Sequence, residues 1–75
     1  MRHQVVAEIV GNVLSVAVTE GTAVVAGDTI VILESMKMEI PVLTEYGGVV
    51  TGLTVHVGDV VQEGDVLAVV EPAIA

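Results

Sequence analysis

Set against itself with a shift of 37 positions, this 75-residue chain repeats. Glu8/Glu45, Gly11/Gly48, Val13/Val50, Val18/Val55, Gly21/Gly58, Val24/Val61, Gly27/Gly64, Asp28/Asp65 and Glu34/Glu71 coincide, nine identities over the 27 positions from 8 to 34. Other pairs exchange one apolar residue for another, as in Val16/Leu53, Ile30/Leu67 and Ile32/Val69. Abundant valine inflates some matches, but paired glycines and paired Gly-Asp steps are harder to obtain by chance. Each half is too short to bury a face of its own. The pattern therefore predicts two similar half-domains packed on each other about an approximate twofold axis.

The halves read as strands. The chain holds 19 valines against five leucines and five isoleucines, and β-branched side chains fit a pleated surface while losing rotamer freedom in a helix. Period-two runs agree: Val13, Ser15 and Ala17 alternate with Leu14, Val16 and Val18, and Leu53, Val55 and Val57 share one face. Gly11, Gly21, Gly27, Gly47, Gly48, Gly58 and Gly64 fall at turn-like intervals, and no segment sustains a 3.6 period. The expectation is an all-β domain, a flattened barrel or sandwich of two small antiparallel sheets. Residues 1–75 make one domain, with a core over about 5–71, stabilised by only roughly 3–5 kcal/mol.

Composition removes several function classes. Without cysteine there is no disulfide framework, thiolate metal site or thiol nucleophile, which suits a reducing cytoplasm. A formal charge of −8 argues against nucleic acid and anionic membrane surfaces, which need basic patches. The longest charge-free stretch, Tyr46 to Gly58, has 13 residues and four glycines, short of the roughly 18–20 apolar residues of a spanning helix. Glu8 interrupts the apolar run after Arg2 and no small-residue cleavage site follows, so no signal peptide is expected. His3 and His56 lack further ligands at metal-like spacing and read as solvated or partly buried β residues. Gly27-Asp28 and Gly64-Asp65 read as turns, because no strand–helix unit or lysine accompanies them as in a phosphate loop. Tyr46, the one aromatic residue, is expected to cap the core.

One lysine remains, Lys37, within Glu34-Ser35-Met36-Lys37-Met38-Glu39; Arg2 is the only other basic side chain, against ten carboxylates. Soluble surfaces normally intersperse both signs, so a solitary lysine is a candidate for chemistry on its amine. The repeat places it between a strand near Thr29 to Ser35 and another near Met38 to Leu43, at a hairpin tip. The equivalent place in the second half, after Glu71, is the chain end, so tip and termini should lie at opposite ends of the domain. Met-Lys is not the Asn-Gly or Asp-Gly chemistry that tight hairpins prefer, and a local departure of this kind marks a functional constraint.

The segment Ser35-Met36-Lys37-Met38 resembles the Ala-Met-Lys-Met attachment site of biotinyl domains. The resemblance extends over residues 5 to 71: Val18, Gly21, Val24, Gly27, Asp28 and Ile30 precede the site, Gly48 and Val50 follow it, and Val55, Gly58, Asp59, Val61, Gly64, Asp65 and Leu67 close the pattern. Equal spacing from Gly21 to Gly27 and from Gly58 to Gly64 leaves no room for the thumb insertion of some acetyl-CoA carboxylase carriers, so the chain looks most like small free-standing members. Ser35 stands in place of alanine, and Ala7-Glu8 and Thr44-Glu45 stand where many members have Ala-Pro.

The resemblance implies biotin attached covalently to Lys37. A lysine amine is protonated at neutral pH and is no nucleophile by itself, so a biotin protein ligase must supply deprotonation and an activated acyl donor. Met36 and Met38 are candidate ligase-recognition handles, as thioethers adapt to binding surfaces; the alternative is that both pack on the barrel edge. Glu34 and Glu39 divide evenly between ligase contact and a solvated strand face. The implied role is a carboxyl carrier with no active site of its own, taking a carboxyl group from a biotin carboxylase to a carboxyltransferase, monomeric in isolation and cytoplasmic. The rival readings are a lipoyl-type carrier, whose usual Asp-Lys flank is missing here, and a non-catalytic scaffold or adaptor.

Overall fold

The computed structural model describes residues 2–73. Their strands are β1 (His3–Val6), β2 (Gly11–Val16), β3 (Ala23–Val24), β4 (Thr29–Ser35), β5 (Met38–Leu43), β6 (Gly48–Leu53), β7 (Val60–Val61) and β8 (Val66–Glu71), with no helix among the described residues. They form two antiparallel four-stranded sheets, ordered β1-β8-β6-β3 and β5-β4-β2-β7. The fold class expected from the valine-rich, period-two sequence is the one observed.

The 37-residue shift maps one sheet onto the other, strand for strand and pair for pair. His3 faces Val70 as Ile40 faces Leu33, and Val49 faces Glu71 as Asn12 faces Glu34. Ala23 faces Val49 as Val60 faces Asn12. Even the register slips recur, between Val13 and Ser15 in β2 and between Val50 and Gly52 in β6. The halves do more than stack, however. β3 crosses into the sheet of β6 and β8, and β7 crosses into the sheet of β2 and β4, so each half completes the other's sheet.

Four turns drive these crossings, and they explain the repeated Gly-Asp steps. The N–H groups of Thr22, Asp28, Asp59 and Asp65 donate to the carbonyls three residues back, at 2.9–3.1 Å. In each turn the third residue, Gly21, Gly27, Gly58 or Gly64, has φ between 92° and 96°. Left-handed backbone at that place alone is the type II pattern, which suits glycine. The fourth side chain then accepts from the first residue's N–H: Thr22 Oγ1 from Thr19 at 3.1 Å, Asp28 Oδ2 from Val25 at 3.0 Å, Asp59 Oδ2 from His56 at 2.9 Å and Asp65 Oδ2 from Gln62 at 2.8 Å.

The core is built from the same pairs. Val13 and Val50, Val18 and Val55, Val24 and Val61, Ile30 and Leu67, Val31 and Ala68, and Leu33 and Val70 are all buried in one cluster. Gly11 and Gly48 lie against the carbonyls of Glu34 and Glu71, where a Cβ would collide with backbone. Ala7 and Thr44 are buried mates of different polarity. Thr44 brings its own satisfaction, its Oγ1 donating to the Tyr46 carbonyl at 2.8 Å and accepting from the Tyr46 N–H at 3.1 Å. Tyr46 itself does not cap the core. It is exposed and stacks on His3, with ring centroids 3.6 Å apart and planes within 9°. The Thr44 bonds hold the backbone there and aim the ring outward instead.

Candidate modification site

β4 and β5 pair from Thr29 opposite Leu43 to Ser35 opposite Met38, leaving Met36 and Lys37 as a two-residue loop. These are the spans read from the sequence for the strands flanking Lys37. Met36 has φ 52° and Lys37 φ 64°, the only non-glycine residues with positive φ among those described. Left-handed backbone at both central residues makes a type I′ turn, whose twist matches that of the strands it joins. A residue with a Cβ pays about 1–2 kcal/mol for that conformation. The hairpin pairing holds both residues in it, and such strain collects at functional sites.

The turn puts Lys37 at the apex, exposed, with no hydrogen bond or ion pair within the described residues. Met36 and Met38 are 89% and 64% exposed, so neither packs on the barrel edge. Glu34 and Glu39 sit directly opposite each other in register, both exposed. Like charges so placed oppose strand pairing. Arg2 and Glu71 are the twofold mates of Glu39 and Glu34, and there the signs are opposite, with the guanidinium 4.0 Å from the carboxylate. The Glu34–Glu39 and Glu71–Arg2 pairs are thus equivalent positions on opposite sides of the axis.

No group of three or more His, Asp or Glu side chains gathers among the described residues to hold a metal ion. His3 is half-buried in β1 and His56 is exposed at the start of a turn rather than in a strand. Among the described residues no helix is long and apolar enough to cross a membrane. A lysine exposed at the apex of a turn fits covalent acylation, because no side chain among the described residues bonds its nitrogen.

Fold and tip together define a small carrier domain, a two-sheet barrel presenting one lysine on a strained hairpin. Residues 3–70 match the biotin/lipoyl attachment family, described as "Biotin-requiring enzyme". The chain belongs to that family. It is 54% identical over 70 residues to the "Biotinylated protein TB7.3 homolog" of Mycobacterium leprae (strain TN), covering 93% of this chain and 99% of that protein. It is 48% identical over 64 residues to the "Biotin-dependent acyl-coenzyme A carboxylase alpha3 subunit" of the same organism, covering 85% of this chain and 11% of the subunit. The fold matches part of the Kluyveromyces lactis urea carboxylase crystal structure with a TM-score of 0.89 at 31% identity, over 95% of this chain and 6% of that one. The chain is therefore a biotin carrier domain homologous to the biotinyl domains of carboxylases, with biotin as its covalent cofactor.

Proposed function

We propose that Lys37 carries the biotin and that the domain moves a carboxyl group between a biotin carboxylase and a carboxyltransferase. The observation that carries this reading is the apex geometry: the chain's one lysine stands exposed on a turn that its own residues disfavour. A biotin protein ligase forms the amide: it takes a proton from the ammonium, Nζ attacks the carbonyl carbon of an activated biotinyl donor, and that donor's leaving group departs. The ammonium charge is lost, making the chain one unit more negative than its formal −8. The bound cofactor supplies the ureido nitrogen on which the carboxyl group travels. This chain supplies position: the lysine stem and the acyl chain span about ten bonds, roughly 12–14 Å. That is short for travel between separate active sites, so the domain moves as well. Met36 and Met38 offer the ligase two exposed thioethers beside the amine. We further read the domain as monomeric in isolation, cytoplasmic and without catalysis of its own.

Co-expression with a biotin protein ligase tests the assignment. Intact mass should show one biotin on the wild-type chain, and streptavidin blotting of Lys37→Arg should be blank. A retained signal overturns Lys37 as acceptor. A lipoyl mass increment instead of biotin would favour the lipoyl-type reading.

A further inference from the structure

The repeat supplies an internal control, because both halves must satisfy the same fold. Of the nine identical pairs, the three valine pairs are core and the Gly21/Gly58, Gly27/Gly64 and Asp28/Asp65 pairs build turns. Gly11 and Gly48 make room for backbone. Glu71 accepts from Thr51 at 2.8 Å and faces Arg2, while Glu34 flanks the Lys37 turn. Glu8 and Glu45 are left. Both are exposed, and neither has a hydrogen bond or ion pair within the described residues. Folding gives no account of a carboxylate at both places.

Both line the same groove, about 700 Å³, between β1 and β5. These are the longer outer strands of the two sheets; the other outer strands, β3 and β7, have two residues each. Each long outer strand is paired on one side only, which leaves backbone donors and acceptors facing outward. Pro41 blunts β5, as proline does on an edge, whereas β1 has none. The groove's apolar wall includes Val42, with Ile9 and Leu43 exposed at its rim and Tyr46 at one end. Glu8 and Glu45, as twofold mates, sit on opposite sides of the axis.

We propose that this groove takes an extended segment of a partner protein, added as a strand to β1. Its apolar side chains cover Ile9, Val42 and Leu43, and its basic side chains reach Glu8 and Glu45. Edge-strand addition supplies affinity through main-chain bonds and selectivity through the side chains that alternate into the groove. Carboxylates on both sides of an apolar floor, in a chain of formal charge −8, select a basic partner and steer it in. The lining begins at Ile40, beyond the Lys37 turn, and includes neither Lys37 nor Met36 or Met38.

The test uses the unmodified chain and a blocked seven-residue peptide of alternating valine and threonine with an arginine at each end. Nitrogen-15 amide spectra should shift at residues 3–9 and 40–46 and little elsewhere, with binding weakened by salt. Glu8→Gln with Glu45→Gln should keep the spectrum of the folded chain and weaken binding about threefold to tenfold. The same peptide ended in glutamate should not bind. Absent or scattered shifts at millimolar peptide, equal binding of the glutamate-ended peptide, or an unaffected double variant would each overturn the proposal. Concentration-dependent self-association in sedimentation, with shifts at the same residues, would overturn it in favour of a second copy as occupant.

Discussion

Met36→Gly is the substitution that most directly tests the geometry of the Lys37 turn. Met36 has φ 52° and is 89% exposed, so its side chain contributes almost no burial while its backbone stays in the left-handed region. That conformation costs about 1–2 kcal/mol for a residue with a Cβ. Glycine escapes this cost but loses roughly 0.5–1 kcal/mol more conformational entropy on folding. Between the midpoints of these two ranges the difference favours the variant by about 0.75 kcal/mol. For a domain of this size each kcal/mol moves Tm by roughly 4–8 °C, so the unmodified variant should melt about 3–6 °C higher by calorimetry. Gly21→Ala is the mirror control: φ is 95° and a Cβ there meets nothing within 4 Å, so the penalty is backbone alone. It should lower Tm by a comparable amount, and Gly58→Ala, its twofold mate, should match it. A Met36→Gly protein melting at or below the parent refutes the reasoning, because it would mean that the methionine side chain stabilises the hairpin through contacts its exposure denies.

Thr44→Ala removes both bonds to Tyr46 from a buried position whose mate, Ala7, shows that alanine fits. It should cost about 1–2 kcal/mol and speed exchange of the Tyr46 amide; an unchanged melting curve would sink this. Gly48→Ala drives a Cβ into the Glu71 carbonyl, so loss of about 3 kcal/mol or more is expected in denaturant unfolding, and a mild effect would mean the strands separate easily. Met36→Asp with Met38→Ala alters two exposed side chains and should leave melting close to the parent while weakening biotin transfer in competition between ligases. Equal biotinylation would place recognition elsewhere on the barrel.

The repeat was legible because most of its identities fall on turn glycines with positive φ, on Asp28 and Asp65, which close two of those turns, and on valines at matched core positions. The hairpin spans were legible for the same reason, and the mismatch between Met-Lys and ordinary turn chemistry corresponds to two left-handed residues. Two features stayed hidden. β1 is the mate of β5, yet it reaches β8 only through space, so a comparison along the chain from 8 to 34 stops before it. The exchange of β3 and β7 was invisible because a two-residue strand carries no period. Tyr46 was misplaced because apolar character says nothing about direction; the Thr44 hydroxyl, a local bond two residues away, sets that.

Twofold equivalence also separates what folding requires from what the tip adds. At the other end the Arg2 guanidinium lies 4.0 Å from the Glu71 carboxylate, just before β1 begins, so the two charges there attract. At the hairpin end, the shift mates of those residues are Glu39 and Glu34, which oppose pairing. The same end holds the two left-handed residues, at about 1–2 kcal/mol each, and two largely exposed methionines. The opposition of Glu34 and Glu39 therefore has an equivalent place, Glu71 and Arg2, where the fold does without it. A scaffold whose lysine were incidental would have no reason to gather these features around that one residue. On the reading proposed above a carrier has one, since an acceptor at Lys37 would have to be held outward and marked for the enzyme that modifies it.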